Sequence, residues 1–440
     1  MKQSVTAYDD APLRPFHIQV AVASTGGVFA DGFGMGIIGI ALSLAAPQLA
    51  LSAVWTGLLG GASLAGLFAG ALLTGPAADH FGRRPIFACN MIIAGALSAL
   101  QFAASSGAEL LLLRMAIGFL LGTDYVVSKA LLTEFTPRRV RGRILGILSI
   151  AWAGGYGAAY AVGFALTSAG PQAWRWMLLA SAAPCLLIAP LRVFMPESAV
   201  WLMHHGQLEQ AARIVRGKFG PDVALPLQAA APAPRRGRWQ QLLSGRWRIR
   251  TLVACTFFTC QVIPYFAVGT FVAQVLSALH LRAGYAGGLI YNFALFAGAI
   301  AGLAVVDRIS RRAFLIGSFA LSAASMLVLC LWQDVAPAAV IVLFAIFAGV
   351  LSAASNLVYV YLPELFPTNL RASGIGLAIA ASRIGSAVST FLLPIVVAAY
   401  GVRTALAACV AVLGIGAVVC FVYAPETRNL RLGALDALPC

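Results

Sequence analysis

Three motifs occur twice in this chain at almost one separation, and that regularity constrains the fold more than any other feature. Gly75-Pro-Ala-Ala-Asp79-His-Phe-Gly82-Arg83-Arg84 is echoed by Asp307-Arg308-Ile-Ser-Arg311-Arg312, with the aspartates 228 residues apart. Glu134-Phe-Thr-Pro137-Arg-Arg-Val-Arg141 returns as Glu364-Leu-Phe-Pro367-Thr-Asn-Leu-Arg371, 230 apart, and Pro196-Glu197-Ser198 as Pro425-Glu426-Thr427, 229 apart. Three unrelated motifs sharing one offset imply a duplication, with two halves built in the same order.

Hydropathy says what each half is made of. The 440 residues are 60% hydrophobic and only 10% charged, with a mean hydropathy of +0.88, whereas a soluble domain carries about 25% charge. Apolar runs long enough to cross a bilayer recur about every 30 residues. They lie near 18–44, 53–78, 85–105, 108–133, 144–168, 174–195, 250–278, 285–306, 313–332, 337–362, 371–398 and 403–423. This pattern predicts an all-α integral membrane protein of twelve transmembrane helices. They form two pseudo-symmetric six-helix bundles, residues 1–195 and 250–440, joined by the polar segment 196–249. Within that segment, 200–203 and 208–215 show helical spacing of apolar residues and read as short amphipathic helices, while 229–237 reads as a linker. The first 16 residues are polar and Asp31 interrupts the first apolar run, so the first span reads as retained and not as a cleaved leader.

The net charge of +15 follows the membrane. Arg83, Arg84, Arg138, Arg139, Arg141, Arg143, the arginines from 213 to 250, Arg308, Arg311 and Arg312 fall in alternate loops. The other loops carry little beyond Arg175, Arg282 and Arg403. By the positive-inside rule the basic loops and both termini are cytoplasmic, so the charge calls for no nucleic acid. Parallel repeats of this kind place a substrate site at the interface of the halves, near the midplane. Seven of the eight cysteines fall in or at the ends of spans and no CxxC occurs, so they read as packing residues. No cofactor or metal is implied.

The motifs carry a resemblance. Gly75-x-x-x-Asp79-x-x-Gly82-Arg-Arg and its copy at Asp307 resemble the signature that follows spans two and eight of the major facilitator superfamily. Arg114-x-x-x-Gly118-x-x-x-Gly122, Glu134-x-x-Pro137-x-x-x-Arg141-Gly142, Pro196-Glu197-Ser198-x-x-Trp201-Leu202 and Pro425-Glu426-Thr427 resemble its sugar-porter branch. Asp31-Gly-Phe-Gly-Met-Gly-Ile-Ile-Gly is similar to the first span of proton symporters for aromatic and other organic acids, and Gly122-Thr-Asp124-Tyr125 to the fourth span of phosphate:proton symporters. Cys260-Gln261-Val-Ile-Pro264 and the stretch from Ala372 to Arg383 resemble sugar-porter-like transporters of bacterial inner membranes. Relatives often carry an acid at the position of Gly34, a proline at Val126, an arginine at His80 and a glycine at Ser310. The resemblance implies a cytoplasmic gate made of Asp79, Arg83, Arg84, Glu134, Arg141 and Glu197 with Asp307, Arg308, Arg311, Arg312, Glu364, Arg371 and Glu426. Opposite charges on adjacent span ends hold that side closed and separate when the halves part. The plain alternative is that these charges only set loop topology.

Only two of the fifteen acids, Asp31 and Asp124, lie well inside spans. A charge at the bilayer centre costs at least about 2.5–3.5 kcal/mol, which makes an intramembrane acid a functional candidate. Desolvation raises a carboxyl pKa toward the physiological range, so both are candidates for the coupled proton, with Asp124 leading. The alternative is a structural acid paired with Arg114 or Arg383. Lys129 and Arg383 are candidates to meet an anionic substrate; snorkelling to the surface is the alternative for Lys129, and a structural tie is the expectation for Arg114.

Polar and aromatic residues within spans supply a candidate cavity wall: Tyr125, Trp152, Tyr156 and its neighbour Tyr160, Gln261, Tyr265, Tyr291, Asn292, Asn356 and Tyr359. Pro264 is placed to loosen the seventh span. The five histidines lie in loops or tails, and no HExxH or GxSxG sits within a span, so an enzyme is not expected. The expected function is secondary active transport, as proton-coupled uptake of a small organic acid or related polar metabolite across the bacterial inner membrane by a monomer embedded in lipid. A drug or metabolite exporter is disfavoured because Gly154-Gly-Tyr-Gly-Ala-Ala-Tyr160 lacks the proline exporters carry there, and a sugar facilitator by the two buried acids. The repeat offset carries Asp31, Asp124 and Lys129 onto or near Cys260, Ala353 and Val358, and Arg383 back to near Gly154, so none has a charged twin. Selectivity is expected where the halves differ.

Overall fold

The computed structural model of the chain describes residues 7–225, 239–245, 247–279, 284–306, 308–332, 336–366 and 368–427. Asp307, the 229–237 linker, Asp334, Asp436, His280, Arg282 and Cys440 lie outside them. Among the described residues twelve helical segments are long and apolar enough to cross a membrane, as the hydropathy predicts.

In the first half these are α1 (Pro15–Gln48), α2 (Ala53–Phe81), α3 (Arg83–Leu100), α4 (Gly107–Phe135), α5 (Arg138–Leu166) and a sixth span made of α6 (Ala173–Ala180) and α7 (Ala182–Val193). Two short helices follow, α8 (Ala199–His204) and α9 (Leu208–Lys218). The second half contains α10 (Trp247–Thr270), α11 (Val272–Ala278), α12 (Gly284–Val305), α13 (Arg311–Leu331), α14 (Pro337–Ser355), α15 (Leu357–Glu364), α16 (Thr368–Tyr400) and α17 (Val402–Tyr423).

Local chemistry sets the ends and breaks. Ser52, Ser106 and Ser310 each accept a backbone N–H of the first turn, which starts α2, α4 and α13. α10 runs unbroken through Pro264, and the chain breaks instead at Phe271. The tenth span breaks at Asn356, whose side-chain amide donates to the Ala353 carbonyl at 3.1 Å and to Ala299 of α12 at 3.1 Å. In hydrocarbon a freed backbone group needs such a partner, so this amide both permits the kink and ties two helices.

Packing repeats the internal symmetry. α1 packs on α5, α2 on α4, and α3 on α7; their counterparts α10 on α16, α12 on α14, and α13 on α17 do the same. Between the halves, α2 meets α16 and α5 meets α12, which are again equivalent pairs. α1 crosses α10 at the end away from the duplicated motifs, where a Cβ on Gly39 would stand 1.5 Å from the Thr270 carbonyl oxygen. Only a residue without a side chain allows that approach. At the motif end, α8 and α9 bury Leu202, Ala211 and Val215 against Phe16, Phe135 and Phe219.

Candidate functional site

A cavity of about 100 Å³ lies between the halves, lined from α1, α2, α4 and α5 on one side and α10, α14, α15 and α16 on the other. Of the residues singled out from sequence, Asp31, Tyr125, Lys129, Trp152, Gln261, Tyr265, Tyr359 and Arg383 line it. Tyr156, Tyr291, Asn292 and Asn356 lie outside that lining and are buried in helix contacts. Asn292 donates to Gly288 O of its own helix at 2.8 Å, and Tyr156 stacks behind Trp152 with ring centroids 5.2 Å apart. Hydropathy does not separate an amide facing a cavity from one facing a neighbouring helix, because both avoid lipid.

The two intramembrane acids differ in setting. Asp124 is fully buried and forms a two-point ion pair with Arg192 of α7: Nη1 meets Oδ1, and Nη2 meets Oδ2 at 3.1 Å. Ser128 donates to the same carboxylate at 3.0 Å and Asn90 of α3 approaches it at 3.5 Å. Arg192 also donates through Nε to Ala23 O of α1 at 3.1 Å, and its guanidinium lies 4.1 Å from the Phe87 ring centroid. A Cβ at Gly27 would fall 1.5 Å from Arg192 Nη2, so that glycine admits the guanidinium. The partner of Asp124 is therefore Arg192, and neither Arg114 nor Arg383. Arg192 lies within the sixth apolar run and is not among the intramembrane cations singled out from sequence. Arg114 donates through Nη2 to Gly34 O at 3.0 Å, tying α4 to α1.

Asp31 lies beside this pair, within interaction range of Asp124 and Arg192, and also borders the cavity. Its Oδ1 is buried without a hydrogen-bond partner. One guanidinium thus faces two carboxyl groups and is ion-paired with one of them, Asp124.

Across the cavity the charges are positive. Lys129 Nζ lies 3.3 Å from the Tyr125 ring centroid and 4.6 Å from that of Tyr359, which joins α4 to α15. The Arg383 guanidinium faces the rings of Tyr125, Phe266 and Phe258 at 5.7, 5.8 and 6.0 Å. Among the described residues no acid lies within ion-pair distance of Lys129 or Arg383. Gln261 donates to Leu351 O at 3.1 Å and keeps Oε1 unpartnered. Phe258 and Phe266 were missed from sequence, although 258, 261, 262, 265 and 266 recur at the spacing of one helix face.

At the motif end the contacts come in equivalent sets. Glu197 accepts the backbone N–H groups of Arg83 and Arg84, both at 3.1 Å, and Glu426 those of Arg311 and Arg312, both at 3.1 Å. Ser198 donates to Glu134, and Thr427 donates to Glu364 at 2.6 Å. Arg83 pairs with Glu134 at 3.0 Å and with Asp79 at 3.8 Å; Arg311 pairs with Glu364 at 3.7 Å. Arg141 and Arg371 donate through Nε to backbone oxygens of the preceding turns. These contacts join elements within one half. Arg141 further pairs with Asp9 at 2.7 Å, in a short segment where Tyr8 stacks on Phe219. Burial, and then the carboxylates of Glu134 and Asp9, push the Tyr8 phenol above its ordinary pKa, so it stays protonated.

Comparison with known proteins agrees with this architecture. The family described as "Sugar (and other) transporter" matches residues 19–438. The chain is 39% identical to the inner membrane metabolite transport protein YgcS of Escherichia coli, over 99% of this chain and 97% of that protein. It is 26% identical to the niacin transporter NiaP of Acinetobacter baylyi, over 87% of each chain. In fold it is similar to the xylose transporter XylE of E. coli in a partially occluded inward-open conformation, with a TM-score of 0.79, 20% identity, and coverage of 95% of this chain and 100% of that one. With its twelve spans and duplicated motifs, the chain belongs to the sugar (and other) transporter family, and is a multi-pass metabolite transporter of the major facilitator superfamily and not an enzyme.

Proposed function

We propose that the protein imports a small organic acid together with protons across the bacterial inner membrane, as a monomer with both termini in the cytoplasm. One observation carries this reading. A single cavity is bordered by an acid outside any ion pair, Asp31 of α1, and by two cations without acids, Lys129 of α4 and Arg383 of α16 in the opposite half. Buried charge is costly unless compensated. A proton on Asp31 leaves Arg192 to Asp124 alone, and an anionic substrate neutralises the cations. Proton and anion together discharge the cavity, which favours sealing it from water and turning the halves about it.

This reading makes Asp31 the residue that exchanges the proton, because it borders the cavity, and makes Asp124 the holder of Arg192. The halves touch at the end away from the motifs, and the lining residues of α4, α5 and α15 lie toward the motif end. That arrangement supports an inward-facing state, partly closed where Lys129 reaches Tyr359. The motif charges act as the latch of the opposite state, biasing the balance as a network of partly buried pairs.

The test uses proteoliposomes with an imposed pH gradient and a panel of labelled organic acids. Wild type is expected to accumulate its substrate. Asp31→Asn is expected to lose accumulation while keeping exchange of internal for external substrate. If Asp31→Asn still concentrates substrate, the proposed proton site is wrong.

A further inference from the structure

We propose that the cavity takes a monocyclic aromatic monocarboxylate, its carboxylate held between Lys129 of α4 and Arg383 of α16 and its ring among the aromatic side chains of the wall. The inference rests on the reading above that the cargo is an organic anion, and narrows it to one chemical class.

The anchor comes first. Lys129 and Arg383 belong to opposite halves and converge on one ring, that of Tyr125, at 3.3 and 5.7 Å. Arg383 is 7% exposed, borders the cavity and leaves Nε without a partner. A guanidinium resting against rings gains less than one that meets a carboxylate with two parallel hydrogen bonds. Both cations are thus placed to exchange ring contacts for one shared carboxylate, and a ligand so held links the two halves.

The remaining wall decides what the carboxylate is attached to. Trp152 faces Tyr265 and Phe266 with ring centroids 5.9 and 5.8 Å away, and Tyr359 closes the side next to Lys129. Flat apolar faces favour a planar ring through offset or edge-on stacking. A polyhydroxylated sugar acid needs a partner for each hydroxyl, and every one left unmet in a dry site is penalised. Size gives a second limit. The cavity is about 100 Å³, below the about 150 Å³ of a protein cavity that takes benzene, so a single ring already requires the wall to widen and a fused pair is excluded. Gln261 adds a finer feature: its Oε1 is buried and unpartnered at the cavity wall, an acceptor for a ring hydroxyl or ring N–H.

The full-length protein in detergent is titrated with benzoate, 4-hydroxybenzoate, nicotinate, cyclohexanecarboxylate, succinate, gluconate and D-xylose, each up to about 10 mM, and its melting temperature followed, since a ligand of the folded state raises it. Aromatic monocarboxylates are expected to stabilise the protein, and cyclohexanecarboxylate to bind about tenfold more weakly, because it fills space without stacking. Trp152→Leu is expected to erase that preference while keeping affinity for the carboxylate. Arg383→Gln and, separately, Lys129→Gln are expected to weaken benzoate by about tenfold or more; each removes a charge without leaving an unpaired acid. Equal binding of benzoate and cyclohexanecarboxylate overturns the aromatic assignment. Stabilisation by succinate or gluconate alone also overturns it while leaving organic-acid transport standing. Stabilisation by D-xylose alone overturns both readings. If no compound stabilises the protein, the aromatic assignment falls, and transport of labelled acids in proteoliposomes then decides the broader one.

Discussion

At the motif end, Glu197 and Glu426 do the same work in the two halves: each receives two backbone N–H groups at the start of a helix, next to an arginine paired with a second glutamate. Deeper in the bundle the halves part. The first half buries Asp31, Asp124 and Arg192 among Asn90 and Ser128, whereas the repeat offset carries the three charges to or near Cys260, Ala353 and Phe421. The second half offers Arg383, Gln261 and a set of rings instead. Duplication preserved the contacts at the motif end. The halves differ at the cavity, where the first brings Asp31 and Lys129 and the second brings Arg383 and Gln261.

The largest effect expected from this comparison lies at Arg192. Removing it as Arg192→Leu strands the Asp124 carboxylate, and breaking one side of a buried pair costs about 3–5 kcal/mol. Phe421 is 64% exposed on the outer surface, so Phe421→Leu is expected to change stability by no more than about 0.5 kcal/mol. Melting temperatures in detergent check both. The double variant Asp124→Asn with Arg192→Leu is expected to recover much of the loss, and equal shifts in the two single variants would break the comparison.

A smaller effect is expected where α1 crosses α10. The offset carries Gly39 onto Val268, so Gly39→Val makes that crossing symmetric in sequence while driving side-chain atoms into the Thr270 carbonyl. The halves must separate there, shifting the conformational balance by about tenfold or more, near 1.4 kcal/mol. Labelling of a single cysteine introduced at that end is expected to quicken. Gly376→Val in the second half, with open space at its Cβ, is expected to leave labelling unchanged.

The smallest effect sharpens the comparison at the latch. Glu197→Gln and Glu426→Gln each weaken a carboxylate at a helix start, worth about 0.3–1 kcal/mol. Both are expected to slow transport a few-fold and to the same degree. A marked difference between them would show that the latch is carried by one half, with the Arg141 to Asp9 pair the first place to look.

Twelve spans and their repeated packing were legible because bilayer thickness and backbone hydrogen bonding leave little freedom: a long apolar run must be a helix, and a repeated order of helices must repeat its packing. The cavity-lining residues were legible in part. Lys129, Arg383, Asp31 and Trp152 stood out as polar or large residues within apolar runs. Phe258 and Phe266 did not, since a phenylalanine in a span reads alike whether it faces lipid, a helix or a cavity. Asn356 shows the reverse, as a polar group spent on tying helices, and Tyr291 is buried outside the cavity lining with its hydroxyl unpartnered.

The amino-acid order alone determined the fold class and the duplication and placed every copied motif at one end of the bundle, because hydropathy and spacing are one-dimensional signals. Only the tertiary structure decided that Asp124 belongs to Arg192 and that Lys129 and Arg383 share one ring. Those pairs are 68 and 254 residues apart in the chain. Whether two buried charges neutralise each other or await a ligand depends on a few ångströms between helices that no spacing rule reaches.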